Sequence, residues 1–181
     1  MAAMRTSWLF LPIVMVAFAA PAGSRQPLSQ DLSSTVQNQP QIAVQQTDEA
    51  LAQFKAEAEE GIKHTLVSQI EAWNQGQIEG FMQGYWHSPE LTFFSGGTVT
   101  KGWEPTLQRY RQRYQGQGKE MGHLDFQDLN IDLVGRKAAV VTGKWQLTMS
   151  DGKTPHGLFT LLVKRMPAGW KIVHDHTSVA E

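Results

Sequence analysis

Two histidines stand two residues apart near the end of the chain, in Gly169-Trp170-Lys171-Ile172-Val173-His174-Asp175-His176-Thr177-Ser178. An extended strand sends alternate side chains to opposite faces. Trp170, Ile172, His174, His176 and Ser178 are therefore expected on one face, and Lys171, Val173, Asp175 and Thr177 on the other. The first face opens with a large aromatic and an aliphatic and turns to two imidazoles and a hydroxyl, the pattern of a strand leaving a packed core for a polar-tipped cavity. Imidazoles titrate near neutral pH and serve as acid, base or hydrogen-bond donor, so His174 and His176 are the candidate catalytic pair. A His-x-His strand also suits a metal, but a third ligand must converge. Neither His64, His87 nor His123 is placed there by the sequence, so no metal is assigned.

A second cluster carries charge and aromatic surface. Arg109 and Arg113 lie four apart beside Tyr110 and Tyr114, one face of a helix, where guanidinium forks suit a carboxylate. Tyr85 and Trp86 are candidates for the wall of an aromatic pocket whose hydroxyl and indole N–H make its few polar contacts. Ser95 and Ser178 add hydroxyls. The ligand-binding set is thus Tyr85, Trp86, Ser95, Arg109, Tyr110, Arg113 and Ser178. Trp73, Tyr85, Trp86, Trp103, Trp145 and Trp170 are also what a plain core uses for burial.

The elements that must position these residues follow from periodicity. Thr47-Asp48-Glu49 suits a helix start. Leu51, Phe54, Ala58, Ile62, Leu66, Ile70 and Trp73 then form one apolar stripe. Gly76 and Gly80 interrupt it, and Ile78, Phe81, Met82, Tyr85 and Trp86 predict a second, short helix. Leu91 to Ser95 and Thr98 to Lys101 form a hairpin about Gly96-Gly97. Pro105 opens a third helix striped by Trp103, Leu107, Tyr110 and Tyr114. Four strands follow. In the first, Leu124 and Phe126 occupy one phase, and Leu129, Ile131 and Leu133 the other, a slip that predicts a β-bulge. Ala139, Val141, Trp145, Leu147 and Met149 share a face of the next, with Gly143 leaving room. Gly157 to Met166 is apolar on both faces, which predicts a partner chain over its outer side. The order predicts an α+β fold, three helices on one face of a strongly curved, mainly antiparallel sheet.

The N-terminus reads as a signal peptide over residues 1–22. Arg5 precedes an apolar run from Ser7 to Phe18, and Ala17-Phe18-Ala19 or Ala20-Pro21-Ala22 supplies the cleavage site. Residues 23–46 hold seven Gln, four Ser, two Pro and no aromatic, the composition of a disordered linker. Residues 47–181 remain for one domain with one core. The absence of cysteine excludes disulfides and a lipid-modified cysteine. A net charge of −1 offers nothing for nucleic acid or an anionic membrane surface. No thiol nucleophile, phosphate-cradling Gly-rich loop or serine elbow is present, and no cofactor is expected. The location expected is periplasmic or secreted.

Three stretches together resemble the nuclear transport factor 2-like superfamily: Ala72-Trp73-Asn74-Gln75-Gly76-Gln77-Ile78-Glu79-Gly80-Phe81, Leu91-Thr92-Phe93-Phe94-Ser95-Gly96-Gly97 with Lys101-Gly102-Trp103-Glu104, and the final strand. They are most similar to its SnoaL-like bacterial subgroup of no established function, related to the kinase II association domain. The resemblance implies a cone of helices against a curved sheet. It is compatible with isomerases, cyclases, dehydratases and pure association modules. Ketosteroid isomerases of this fold place an Asp general base near Phe94-Ser95-Gly96, where this chain has Ser95, and use a Tyr and an acidic residue as oxyanion donors. The sequence therefore favours an exported domain binding a small hydrophobic or carboxylate-bearing molecule, as a homodimer. Its alternatives are an enzyme using His174 or His176, with Ser95, Tyr85 or Trp86 as donors, and a homo-oligomeric association module. A cavity filled by side chains would mark the module.

Overall fold

The apolar stripe of the first helix decides where that helix meets the rest of the chain. In the computed structural model, which describes residues 32–180, α1 runs Leu32–Asn74. Leu51 is exposed and Phe54 half-buried, and full burial begins at Ala58, continuing through Ile62, Leu66 and Trp73. Gly61 lies mid-helix, where glycine costs about 1 kcal/mol relative to alanine. Its reason is a close approach, since a Cβ there would stand 2.8 Å from Cδ1 of Trp170. The expected linker ends in helix rather than coil, because α1 already includes residues 32–46. Gln and Ala extend a helix readily once its nucleus is held elsewhere, and the described side chains of residues 41–46 are exposed. The signal peptide expected over residues 1–22, and residues 23–31, lie outside the described residues.

Residues 42–180 form one compact unit. After α1 comes α2 (Ile78–Met82), then β1 (Thr92–Ser95) and β2 (Thr98–Lys101), α3 (Trp103–Tyr114), β3 (His123–Gly135), β4 (Ala138–Thr148), β5 (His156–Met166) and β6 (Gly169–Thr177). The strands form one six-stranded sheet in the order β2-β1-β6-β5-β4-β3. All neighbours are antiparallel except β1 and β6, which run parallel. The hairpin turns on Gly96 and Gly97, both at positive φ, a conformation glycine adopts without steric cost. Pro105 sits in the first turn of α3, where its missing N–H has no intrahelical partner to lose.

Three register shifts interrupt the sheet, one of them between Leu133 and Gly135 at the end of β3. The β3–β4 register shifts between Gln127 and Asn130, with Asp128 at φ 53, at the phase slip expected from Leu124, Phe126 and Ile131. A further one lies in β6. Leu162 pairs with His174 and Val163 with Ile172, so Val173 is an extra residue with no partner on β5. A bulge leaves one residue unpaired and reverses the alternation beyond it.

The core lies between the helices and the inner sheet face. It joins Ile62, Leu66, Trp73, Phe81, Leu107, Val141, Leu161, Val163, Trp170 and Ile172. Polar side chains tie the helices to the strands: Asn74 Nδ2 donates to Leu124 O at 3.1 Å and its Oδ1 accepts from Leu124 N–H at 2.7 Å. On β5 only the inner phase, Gly157, Phe159, Leu161 and Val163, is buried. Leu158 is exposed and Leu162 half-buried on the outer side.

The tail beyond β6 closes against the start of β5. Trp145 Nε1 donates to Ser178 O at 2.9 Å, and a Cβ on Gly157 would stand 2.0 Å from that oxygen. Gly157→Ala is expected to cost about 1–3 kcal/mol through separation of the two segments, measured as a lower urea midpoint. An unchanged midpoint would mean that the tail does not close over β5.

Candidate functional site

The bulge at Val173 decides which side chains of β6 reach the interior. Before it, Trp170 and Ile172 face the core. After it, the phase that faces inward is Asp175 and Thr177. β1 confirms this register, because Phe93 pairs with Asp175 and Ser95 with Thr177, while Thr92 and Phe94 pair with His174 and His176. The two histidines lie on the outer sheet face. His174 Nδ1 is 2.7 Å from Thr92 Oγ1, and the Phe94 ring meets both imidazoles edge-on. Burial, and then the neighbouring His176, hold His174 below the usual imidazole value. The expectation that both imidazoles enter the concave side is therefore corrected: one extra residue turned the strand over before it reached them.

Between the helices and the inner sheet face is a cavity of about 90 Å3, several times the roughly 10–15 Å3 that one water needs. Its wall is aromatic: Trp73, Phe81, Phe93, Tyr114, Phe126, Trp145 and Phe159 all contribute. Trp73, Phe81 and Tyr110 meet with ring centroids 5.1 to 6.1 Å apart, at steep angles. Such edge-to-face contacts suit the ring quadrupoles.

The carboxyl inside is that of Asp175, only 3% exposed. Tyr85 Oη donates to Asp175 Oδ2 at 2.7 Å, and Thr177 Oγ1 donates to Oδ1 at 2.7 Å. Tyr85 Oη also lies 3.3 Å from Tyr110 Oη, so carboxyl and two phenols form one chain. Burial pushes the Asp175 carboxyl up to about 6, against the hydrogen bonds from Thr177 and Tyr85 and the charge of His176, which pull it down. Burial also raises the Tyr85 and Tyr110 phenols well above their usual value, and the Asp175 charge adds to the rise at both. A carboxyl in this state exchanges protons near neutral pH, and the phenols stay protonated as donors.

Arg109 and Arg113 stand at the rim. The Arg109 guanidinium lies over the Phe93 ring, 5.1 Å from its centroid, and donates to Thr100 Oγ1 and Ser95 O at 2.9 Å each. Arg113 is exposed, its guanidinium 5.5 Å from the Tyr114 centroid. Of the sequence candidates, Tyr85, Ser95, Arg109, Tyr110 and Arg113 line the cavity. Trp86 lies elsewhere, its backbone N–H bonded to Ile172 O. Ser178 is exposed and does not line the cavity; its carbonyl accepts from Trp145 Nε1, and its backbone N–H and Oγ donate to Leu158 O. Asp175, Thr177 and Gln69 line the cavity and were not among the candidates. The adjacent apolar pair Ile172-Val173 is compatible with a slip of phase or with a strand covered on both faces, so it does not single out Asp175. Among the described residues no three His, Asp or Glu converge as metal ligands.

A family model described as the SnoaL-like domain matches residues 62–181. An NTF-2 like protein of unknown function from Shewanella oneidensis is 37% identical over 66% of this chain and 98% of that one, with a TM-score of 0.62. An NTF2-like superfamily protein from Salmonella enterica is 21% identical over 70% and 94%, TM-score 0.59. A ketosteroid isomerase-like protein from Erwinia carotovora is 14% identical over 66% and 94%, TM-score 0.54. The last two show shared fold alone. No curated protein matches the chain.

The buried carboxyl has a measurable consequence. Asp175 titrates near 6 in the fold and near 3.8 free of it, so over that window the folded state holds a proton that the unfolded chain releases. The stability it contributes is full below pH 3.8 and is lost as pH rises through about 6. At about 1.4 kcal/mol per pH unit, the loss is on the order of 3 kcal/mol. Asp175→Asn keeps an acceptor for Tyr85 but cannot ionise. Relative to the parent it should gain that amount between pH 4 and pH 7.5, read from urea unfolding at both. A parent–variant difference that stays constant would put this carboxyl in water.

Proposed function

The chain belongs to the SnoaL-like domain family, and on that footing we propose that its cone binds a small, largely apolar organic molecule. The molecule's oxygen would meet the chain of Tyr85, Tyr110 and Asp175. The observation that carries this reading is the burial of Asp175 in a cavity walled by aromatic rings. An ionisable group is costly to keep in such a place, and a cavity empty of side chains beside it gives the cost a purpose. A pure association module has less support, since the cone is not filled from within.

The same observation favours a second reading, an enzyme of isomerase, cyclase or dehydratase type. Its proton carrier would be Asp175 rather than His174 or His176. A carboxylate titrating near 6 can accept a proton from carbon next to a carbonyl. A phenol kept protonated beside it can donate a hydrogen bond to the oxyanion that develops. Ser95, at the position where the resemblance implied an Asp base, would not be that base.

Export and self-association complete the reading. Export rests on the apolar run from Ser7 to Phe18 and on Ala17-Phe18-Ala19. Self-association as a homodimer rests on the outer sheet face, where Val99 and Leu158 are exposed beside half-buried Phe94 and Leu162.

Cyclohexanone is a fitting probe, because Trp73 and Trp145 line the cavity and their fluorescence reports its occupancy. Saturable quenching is expected in the parent; a linear response without saturation would contradict the binding reading. Exchange of the ketone's α-protons for deuterium, followed by proton NMR, separates the two readings. Acceleration that rises with pH about a midpoint near 6 and is lost in Asp175→Asn would make the protein a catalyst. Binding without acceleration would leave it a binder.

A further inference from the structure

Helix α3 carries three arginines within five residues, and their surroundings differ. Arg111 points away from the cavity and is paired with Glu79, whose carboxyl it holds below the usual carboxylate range. Arg109 and Arg113 line the cavity, one helical turn apart on one face, and neither has a carboxylate partner among the described residues. Arg109 spends its Nη1 and Nη2 on a hydroxyl and a carbonyl, both neutral. These two bonds and the stacking on Phe93 fix its plane without cancelling its charge. A guanidinium has five N–H donors, so three remain. Arg113 makes no side-chain hydrogen bond with the described residues and lies against the Tyr114 ring.

The cavity's one carboxyl cannot supply the missing partner. Asp175 is held by Tyr85 and Thr177, and Phe93, its neighbour across the β1–β6 pairing, carries the Arg109 guanidinium on its ring. The cone thus has a cationic rim, an apolar aromatic wall and an acidic, hydroxyl-bearing interior. That arrangement selects a ligand by charge order as well as by shape. A carboxylate turned inward would meet Asp175 and be repelled once that group ionises. The same carboxylate at the rim would find two guanidiniums.

We propose that the cone takes a small monocarboxylic acid with an apolar ring or chain body and a keto or hydroxyl oxygen at its far end. Its carboxylate sits on Arg109 and Arg113, and its far oxygen on the Tyr85–Tyr110–Asp175 chain. The proposal rests on the small-molecule reading above and adds the class and orientation of the ligand. The wall supplies affinity that does not discriminate, and the rim supplies the discrimination. Arg113 is the principal contact, because its donors are uncommitted and its exposed position lets it close over the carboxylate.

Isothermal titration of the full mature chain with three probes tests this: 4-oxocyclohexanecarboxylate, its uncharged amide, and cyclohexanone. The acid is expected to bind about tenfold or more tightly than the amide, as charge-assisted bidentate contacts do. Arg113→Gln should remove most of that preference. Arg111→Gln, which changes the net charge equally but lies outside the cavity, should preserve it. If the amide binds as tightly as the acid, the proposed ligand class is wrong, while binding of the amide and cyclohexanone would leave the apolar-cone reading standing. If Arg111→Gln erases the preference as fully as Arg113→Gln, the effect is diffuse charge and the rim assignment fails. If none of the three probes binds, this proposal and the reading beneath it fall together.

Discussion

A carboxyl group kept out of water is the constraint around which the interior is arranged. Asp175 is nearly inaccessible, and removing a carboxylate from water costs several kcal/mol unless it is protonated or well partnered. The structure does some of both. Tyr85 and Thr177 each give a short hydrogen bond, and the carboxyl's affinity for its proton rises. Tyr85 must in turn be held, and its bridge to Ile172 in β6 fixes the segment between α2 and β1 against the same strand. Tyr110 reaches the chain from α3. Thus the segment between α2 and β1, helix α3 and β6 are coupled through a few buried polar atoms, where hydrogen bonds are electrostatically stronger than in water.

Much of this architecture was legible in the residue pattern. The stripe from Ala58 to Trp73, the Gly96-Gly97 hairpin, Pro105 at the head of α3 and the phase slip in β3 each state a local rule that the packed molecule obeys. The arginines and tyrosines of α3 could be placed at the cavity because a helix of that length has one face to bury. The last strand misled, for a physical reason. Its inward position after the bulge is occupied by Asp, and its outward positions by residues that look functional. A polar residue in the core phase is read as a surface residue unless the slip is seen first. The slip in β3 showed because apolar residues continued after it; in β6 the apolar run ended at Val173, leaving no later apolar residue to mark the new phase.

The histidines then take a different meaning. On the outer face, His174 and His176 sit beside Phe94 and across from Leu162 and Thr160. They are neighbours of a surface, while a carboxyl and two phenols face the cavity. The two sides of the sheet are nonetheless linked, since His176 precedes Thr177 and its charge is among the influences lowering the Asp175 value. One unpaired residue in a nine-residue strand thus separates a histidine-lined cone from an aspartate-lined one, built on the same fold.

The direct test of this account is the titration of Asp175 itself. In protein carrying 13C at aspartate carboxyls, with the resonance assigned through Asp175→Asn, the Asp175 shift should follow a single midpoint near pH 6. The other described aspartates sit on exposed surface and provide the internal reference. A midpoint at the ordinary value of about 3.8 would place the carboxylate in water on the outer face. The bulge at Val173 would then not turn the strand, and the histidines would have to face the cone.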